Sequence, residues 1–366
     1  MWRVFRLVGI GAAVALAALA AMVLLPHDRY VRWQAMKVEA FARLGWIYER
    51  IHFDPTPIDI AFIGTSHTLN GVDAEAFERH LAAAGMRGRD GACLHAVNLA
   101  IPSYGRNLHW ILARELLSHR RIRTLVIEIF ENETRKAHPL FISVADVGDV
   151  LSAPALINLN YLHDLARLPF RQLSLWAKSQ SPRSWGLKET MDFTDYDGSN
   201  VDNTRVVNVG GIALTPVRDH VMDPARLDAE ASALMTEKNL HMLGGRFHDM
   251  EYAVPTYYLG RILELAREKG VEVVFLYLPG YGKPARPADD RLYRGAGATI
   301  FPDEVLARRE YWTDVNHLNL HGAAHLTRLL AERWAGLGLS GTAAFPAGPA
   351  CAPGYSPRPL LKAATN

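Results

Sequence analysis

Continuous apolar runs separated by amphipathic segments are the main pattern along this chain. The run at residues 124–130 (TLVIEIF) does not alternate between apolar and polar positions, which is typical of a strand buried on both faces. Strands that alternate with helices over short connections indicate an α/β fold, in which helices cover a parallel sheet. The pattern predicts strands at residues 58–63, 94–101, 124–130 and 271–278, and helices at 74–85, 107–118, 255–269 and 322–337.

Small polar segments follow the first three predicted strands. The carboxyl ends of parallel strands meet at one edge of a sheet, where ligands bind in such folds. We therefore expect these segments to lie together, although Gly-Thr-Ser alone is also ordinary turn chemistry. The segments are Gly64-Thr65-Ser66, Ser103-Tyr104-Gly105 and Glu131-Asn132-Glu133.

An uncharged run of 19 residues, 7–25, stands near the N-terminus. As a helix it is about 28 Å long, enough to cross a hydrocarbon layer of ~30 Å. Arg3 and Arg6 precede it, which orients the N-terminus inside and the rest of the chain outside the cytoplasm. The segment around Ala18 and Ala20 also resembles a signal-peptide cleavage site. Because the run continues past these alanines, we favour an uncleaved single-pass anchor in the inner or plasma membrane, with a periplasmic domain.

The rest of the pattern divides the chain further. Regular alternation is lost over residues 134–250, which we interpret as an insertion over the ends of the sheet, where substrates are selected. Residues 338–366 are rich in Ala, Gly and Pro and are expected to form a flexible tail. The remaining predicted parts are the anchor at 1–28, a linker helix at 29–57 and a sheet domain at 58–133 and 251–337. The apolar residues of the linker helix have mixed three- and four-residue spacing. Its aromatic side chains can rest at the lipid interface or pack on the domain, and packing is the preferred interpretation.

Composition narrows the function. The 366 residues are 49% hydrophobic and 21% charged, so the chain can bury a full core. A net charge of +2 gives no electrostatic argument for binding nucleic acid. The two cysteines, Cys93 and Cys351, form neither a metal-type cluster nor a dense disulfide framework. They can form one bridge outside the cytoplasm, but two separate thiols is the preferred interpretation.

An Asp-x-x-His pair near the C-terminus supplies candidate chemistry. A serine hydroxyl is a poor nucleophile at neutral pH and needs a base within hydrogen-bond reach and a group that orients the base. Asp314 and His317 can supply both to Ser66 from one loop. His321 and His325 repeat the histidine at four-residue spacing, but no other ligand cluster accompanies them, which disfavours a zinc site.

In this order the motifs resemble those of the SGNH, or GDSL-like, hydrolase family. The resemblance covers residues 59–130 and 271–337 and leaves the insertion unexplained. Its four blocks are Gly64-Thr65-Ser66, with Thr65 in place of the family's aspartate; Asn98 followed by Ser103 or Gly105; the strand that leads to Asn132; and Asp314-Val-Asn-His317, which matches fully.

The resemblance implies a three-layer α/β/α, flavodoxin-like parallel sheet and a triad of Ser66, His317 and Asp314. The oxyanion hole would consist of the backbone N–H of Ser66, that of Ser103 or Gly105, and the side chain of Asn132. No metal or organic cofactor is required.

Within the family, the single anchor, the exported domain and the long insertion resemble proteins that move acyl groups onto cell-surface glycans. These act in alginate acetylation and in D-alanyl transfer to teichoic acids, together with a membrane-bound O-acyltransferase. The resemblance implies that Ser66 carries an acyl group, acetyl first of all, to a sugar hydroxyl. Two alternatives stay open: an esterase or deacetylase with water as acceptor, and a non-catalytic protein that binds a glycan or a membrane partner.

Overall fold

The computed structural model describes residues 1–36, 43–130, 137–156, 158–192, 207–209, 212–214, 219–236, 245–288 and 290–344. The strands are β1 (Ile60–Ile63), β2 (Met86–Gly88), β3 (Ala96–Asn98), β4 (Thr124–Ile129), β5 (Val207–Val209), β6 (Ile212–Leu214), β7 (Glu272–Tyr277), β8 (Ala298–Ile300) and β9 (Thr342–Ala344). The helices are α1 (Trp2–Val23), α2 (Arg29–Gln34), α3 (Arg43–His52), α4 (Ser66–Gly71), α5 (Ala74–Ala83), α6 (Arg106–His119), α7 (Phe141–Val144), α8 (Val147–Leu151), α9 (Tyr161–Gln180), α10 (Pro224–Thr236), α11 (Ala253–Glu268), α12 (Asp303–Leu306) and α13 (Leu320–Trp334).

Five of the described strands form one parallel sheet, which confirms the α/β prediction. Their order across the sheet is β3-β1-β4-β7-β8, so β3, the second of these five strands along the chain, lies outside β1, the first. Ile60 of β1 is level with Ala96 of β3 and Thr124 of β4. The strand order reverses at β1, and α/β sheets of this kind bind ligands in the crevice beyond the strand ends at such a reversal.

Alternate residues of β1 face two apolar cores. Ile60 and Phe62 belong to the core that includes side chains of α5 and α13, whereas Ala61 and Ile63 belong to the core that includes side chains of α6 and α11. Successive side chains of a strand point to opposite faces. Burial on both faces therefore explains why the predicted strands were continuous apolar runs.

β8, the fifth strand of the parallel sheet, was not predicted. It is three residues long and follows Gly295 and Gly297. A Cβ on Gly297 would lie 2.2 Å from the carbonyl oxygen of Val273 in β7, so a glycine permits the close approach of the two strands. A short strand entered through glycines carries no apolar run for sequence analysis to detect.

The N-terminal run forms α1, a 22-residue helix that contains an 18-residue stretch with a mean hydropathy of 2.1 and is long and apolar enough to cross a membrane. Most of its side chains are exposed, and Leu19, Met22 and Val23 near its end are half-buried. α1 contacts α9, a helix of the predicted insertion. The end of α1 therefore lies against the domain itself.

The prediction of one continuous linker helix is wrong. The described part of the segment contains two helices, α2 and α3, with Ala35 and Met36 outside them, and side chains of both helices belong to the domain core. Tyr30, Trp33 and Trp46 are 3%, 0% and 1% exposed, which confirms that the aromatic side chains pack on the domain. The mixed spacing of apolar residues reflects helices that are covered on most sides rather than on one face.

The segment at residues 134–250 is more regular than its composition indicated. It includes the 20-residue helix α9, which contacts α1, α2, α7 and α8. α10 packs elsewhere, near the predicted Asp-x-x-His loop, where the Met222 N–H donates to the carbonyl oxygen of Trp312 at 3.0 Å. Of the described part of the insertion, residues 219–236 border that loop, whereas α7, α8 and α9 pack beside the N-terminal helices.

The predicted flexible tail and the predicted separate thiols both need correction. β9 pairs with β2 in an antiparallel ladder, so the start of the tail is part of the fold. Residues 345–366 lie outside the described residues.

Cys93 is disulfide-bonded, and the one other cysteine of the sequence, Cys351, lies outside the described residues. The interpretation of two separate thiols is therefore wrong.

Candidate active site

Ser66 stands at a turn from strand to helix. β1 ends at Ile63, Gly64 and Thr65 make the turn, and α4 begins at Ser66. The Thr65 hydroxyl oxygen caps α4 by accepting the N–H of His67 at 3.3 Å. Ser66 is half-buried at this edge of the sheet, so solvent can reach the residue.

The carboxylate of Glu128 in the neighbouring strand β4 holds this turn by hydrogen bonds. Its Oε2 accepts the Thr65 N–H at 2.8 Å and the Thr68 hydroxyl at 2.5 Å, and its Oε1 accepts the Thr65 hydroxyl at 3.1 Å. The residue is 1% exposed, and a buried carboxylate of this kind requires such donors. A Cβ on Gly64 would lie 2.3 Å from Glu128 Oε2, so a glycine is needed where the turn meets the carboxylate.

Asp314 and His317 share a tight turn. One carboxylate oxygen of Asp314 accepts the backbone N–H of Asn316 at 2.8 Å and that of His317 at 2.9 Å. A β-bridge between Trp312 and Leu318 closes the turn at its base. Local hydrogen bonds of this kind fix the direction of both side chains before any substrate binds.

A chain of hydrogen bonds joins this turn to Ser66, across 251 positions of sequence. His317 Nε2 lies 2.9 Å from Ser66 Oγ, and His317 Nδ1 lies 3.0 Å from each carboxylate oxygen of Asp314. Because the carboxylate can only accept, Nδ1–H donates to Asp314 and Nε2 accepts the serine hydroxyl. The structure thus brings together the three residues that the sequence predicted as a triad.

Asp314 is held in its ionised form. Burial acts to raise the pKa of its carboxyl, but hydrogen bonds from the His317 side chain and from two backbone N–H groups outweigh burial and lower the pKa below 3.8. The Asp314 side chain is 42% exposed and that of His317 25% exposed, so water and substrates can reach the triad. An ionised Asp314 can stabilise an imidazolium at His317.

His67 borders the triad as a buried imidazole. Its Nδ1–H donates to the carbonyl oxygen of Leu278 at 2.7 Å. Burial lowers the pKa of His67, and the nearby Glu128 offsets this only in part. Its ring meets that of His317 edge-on, with centroids 5.7 Å apart. His67 therefore shapes the wall of the site, and His317 is the imidazole that bonds to Ser66.

The loop after β3 lies beside the serine turn. The Ile101 N–H donates to the Gly64 carbonyl oxygen at 3.0 Å, and the Tyr104 ring lies 6.4 Å from the His67 ring. Ser103, at the tip of this loop, has a φ of 78°, a left-handed conformation that few residues other than glycine adopt. Backbone conformations of this kind cluster at functional sites, where the surrounding structure holds them in place.

Close packing against His138 requires a glycine at position 105. Its φ is 153°, and a Cβ there would lie 2.4 Å from the Cβ of His138. The structure therefore brings both Ser103 and Gly105, the two candidates for a backbone donor, to the loop beside Ser66. The third predicted oxyanion donor, Asn132, and its neighbours Glu131 and Glu133 lie outside the described residues.

Sequence analysis missed the polar residues that support the strand ends. Arg43 of α3 donates to the carbonyl oxygens of Ala100 and, at 2.8 Å, of Asn98, and Arg106 of α6 donates to that of Glu128 at 2.7 Å. A detectable signal existed for Glu128, which is the one charged residue of the apolar run at 124–130. Arg43 offered no such signal, because an arginine in a helical segment is ordinarily exposed.

One group of potential metal ligands occurs among the described residues. Ligand atoms of His52, Glu115 and His119 lie within 4.8 Å of one another. The Arg29 guanidinium already occupies Glu115 Oε2 at 2.6 Å, and a cation there opposes a metal ion. His119 ends α6 shortly before β4 begins, so the group lies toward the sheet edge opposite Ser66. We interpret it as an ion-pair network.

Comparison with known proteins adds no relative to this picture. No protein-family model matches the sequence, and no curated protein matches it. Inference about function therefore rests on the residues and geometry of the site.

Proposed function

We propose that this protein is a membrane-anchored serine acyltransferase or esterase of the SGNH type, with Ser66 as its nucleophile. The observation that carries the proposal is the hydrogen-bond chain from Ser66 through His317 to Asp314. The strand order supports a flavodoxin-like sheet of this family, since 2-1-3-4-5 is the order of flavodoxin-like folds. The serine follows the first strand of that sheet, and the Asp-x-x-His turn follows the last.

In the proposed reaction, Ser66 Oγ attacks the carbonyl carbon of an acyl ester while His317 Nε2 takes the hydroxyl proton. Asp314 stabilises the imidazolium that forms. His317 then gives the proton to the departing oxygen, which leaves an ester on Ser66. A sugar hydroxyl, deprotonated by the same imidazole, attacks this ester, and His317 returns the proton to Ser66.

Backbone donors would stabilise the oxyanion of each tetrahedral intermediate. The proposed donors are the N–H of Ser66, the N–H of Ser103 or Gly105, and the Asn132 side chain. The position of the 102–105 loop beside Gly64 supports a donor from that loop. A backbone N–H needs no particular side chain, so Ser103 can serve where the family has glycine.

Acyl transfer, with acetyl as the leading acyl group, is the favoured form of the proposal. An anchor in the membrane would hold the domain outside the cytoplasm, near cell-surface glycans and near a membrane-bound O-acyltransferase that supplies the acyl group. α1 supports this location by its length and hydropathy. Hydrolysis is the second candidate, and the 42% exposure of the Asp314 side chain favours it because water can reach the triad.

Covalent labelling tests the nucleophile. The full chain, in detergent, is treated with a fluorophosphonate probe, and the modified residue is identified by mass spectrometry. We expect label on Ser66 in the wild-type protein, none there in Ser66→Ala, and strongly reduced label in His317→Ala. A folded wild-type sample that does not react at Ser66 would refute the triad.

A product assay then separates the two reactions. The protein receives an acetyl-ester donor and a polysaccharide acceptor, and glycan-bound acetyl and free acetate are measured. Transfer predicts glycan ester as the main product, and hydrolysis predicts acetate. If Ser66→Ala retained both ester turnover and cell-surface acylation, a non-catalytic binding protein would replace both proposals.

A further inference from the structure

α9 presents an apolar face to solvent. Leu162, Phe170, Leu173 and Trp176 are 76%, 61%, 37% and 37% exposed. Leu162, Ala166, Phe170 and Leu173 follow one another at intervals of four, four and three residues, which places them on one side of a helix. Single exposed leucines are common, but a row of large apolar side chains indicates an interaction surface.

The fold of the domain does not require this exposed face. α9 packs into the protein through its other side, where Leu168 and Leu175 are 0% and 3% exposed. The apolar surface continues before the helix at Leu156 and Leu159, and after it at Trp185, all of them exposed. α9 thus has one apolar side for the protein and another for a different partner.

The end of α1 identifies that partner. The Gln172 side chain of α9 donates to the carbonyl oxygen of Val23 at 3.2 Å, and Ser179 Oγ accepts the N–H of Asp28 at 2.9 Å. These two contacts flank Leu173 and Trp176 along α9. Where α1 leaves a membrane, the exposed face of α9 therefore begins within about one helical turn of it.

We infer that the exposed apolar face of α9 lies in the interfacial layer of the extracytoplasmic leaflet of the membrane that α1 crosses. The inference rests on the proposed anchoring by α1. Trp176 and Trp185 provide the aromatic side chains that prefer this layer, and Lys178, whose Nζ lies 6.0 Å from the Trp185 ring, provides a basic group for lipid phosphates. Lipid is favoured over a second copy of the chain because the face is continuous with the point where α1 enters the bilayer.

Spin labels on the full chain test the inference. Single cysteines are introduced as Phe170→Cys and Leu173→Cys on the apolar face of α9, and as Glu332→Cys at an exposed position of α13, which packs against the other face of the sheet. Val14→Cys in α1 reports the anchor itself. Native Cys93 is disulfide-bonded and takes no label. Each variant is reconstituted in vesicles of phosphatidylethanolamine and phosphatidylglycerol, and collisions of the nitroxide with oxygen and with a water-soluble nickel chelate are measured.

We expect the ratio of oxygen to nickel collisions to be several-fold higher at positions 170 and 173 than at 332, and highest at 14. A lipid-exposed label at 14 with water-exposed labels at 170 and 173 would overturn the α9 inference and leave the anchor intact. Labels at 170 and 173 shielded from both reagents would mean a protein partner on this face, which also overturns it. A water-exposed label at 14 would refute the anchor and the inference together.

Discussion

The backbone N–H of Thr65 donates to Oε2 of Glu128 at 2.8 Å, which ties the residue before Ser66 to the neighbouring strand. Under the proposed SGNH assignment, an aspartate would stand at position 65. In this chain a threonine stands there, and the carboxylate that contacts the turn comes from β4 instead. Glu128 therefore sets the height and direction of the serine turn, and we interpret it as a positioning residue for the proposed reaction.

Replacing Glu128 by alanine should remove this support. Several buried donors would lose their acceptor, so we expect a loss of roughly 3 kcal/mol in the free energy of unfolding, at about 1–3 kcal/mol for each unsatisfied group. Displacement of Ser66 should lower kcat about 100-fold and leave KM little changed, because misplacement of a reacting group acts on the chemical step. Thermal unfolding and steady-state ester hydrolysis measure the two effects.

Glu128→Gln is the matched variant, because the amide keeps one acceptor oxygen and nearly the same shape. It should recover most of the stability and much of the fluorophosphonate labelling rate. Wild-type labelling kinetics in a folded Glu128→Ala protein would contradict the positioning role. A variant whose KM rises while its kcat is unchanged would assign Glu128 to substrate binding instead.

Gly64→Ala should damage the same turn by overpacking. The added Cβ would lie 2.3 Å from Glu128 Oε2 and 2.3 Å from Thr68 Oγ1, so the carboxylate or the turn must shift. We expect a destabilisation of about 1–3 kcal/mol and a loss of labelling at Ser66. Gly260→Ala is the control, because its Cβ would meet no atom within 4 Å in the middle of α11, and it should stabilise the protein by up to about 1 kcal/mol. Normal labelling of Gly64→Ala would show that the close contact is not needed.

The sequence allowed prediction of the parts of this fold that follow from local patterning. Four of the five sheet strands were apolar runs, and α5 begins after Asp73, whose carboxylate caps it at the Ala76 N–H. Ser66 was found because it follows a predicted strand, where the direction of parallel strands brings polar segments to one edge of the sheet. Asp314 and His317 were found from their Asp-x-x-His spacing and from the resemblance to the SGNH family.

Long-range packing accounts for what sequence analysis missed. β8 is a strand because β7 offers it an edge, not because of its own residues. α2 and α3 were predicted as one helix, and contacts with distant segments bury Trp33 and Arg43. α9 was hidden in a polar, proline-containing segment, with Pro169 inside the helix itself. Such elements are defined by neighbours that a local pattern does not reveal.

Two arginines of α3 allow a comparison between the two edges of the sheet. Arg43 binds carbonyl oxygens at the end of β3, on the side of Ser66, whereas Arg50 donates to the carbonyl oxygens of Thr56 and Pro57, at 2.8 Å each, ahead of β1. Arg43→Met and Arg50→Met should each lower the free energy of unfolding by about 1–3 kcal/mol for each carbonyl group left without a donor.

Only Arg43→Met should also lower kcat, by about 10- to 100-fold, because the 102–105 loop follows the carbonyl groups that it holds. Both variants are compared at a temperature where each is fully folded. Equal kcat losses in the two variants would mean that general destabilisation, and not the position of the loop, causes the effect.

His138, which binds the 102–105 loop beside the candidate site, should make the free energy of unfolding depend on pH. Its Nε2–H donates to the Pro102 carbonyl oxygen at 2.9 Å, and its Nδ1 accepts the Leu140 N–H at 3.1 Å, so the folded protein holds a neutral ring. Burial lowers the pKa of His138 from 6.5 to about 4, and the Pro102 hydrogen bond offsets this only in part. Between these values the unfolded chain binds the proton and the folded chain does not. The contribution of the neutral ring is therefore complete above pH 6.5 and is lost as the pH falls toward 4.

The comparison of wild-type protein with His138→Gln isolates this contribution from that of other buried histidines. Glutamine places an amide donor near the position of Nε2 but does not titrate. The free energy of unfolding is measured for both proteins by urea denaturation at a series of pH values. We expect the wild-type value minus the variant value to fall by up to about 3 kcal/mol between pH 7 and pH 4, since one pKa unit corresponds to about 1.4 kcal/mol. A difference that stays constant over this range would mean that His138 has the same pKa in the folded and unfolded chains, and that the 102–105 loop is not pH-sensitive through it.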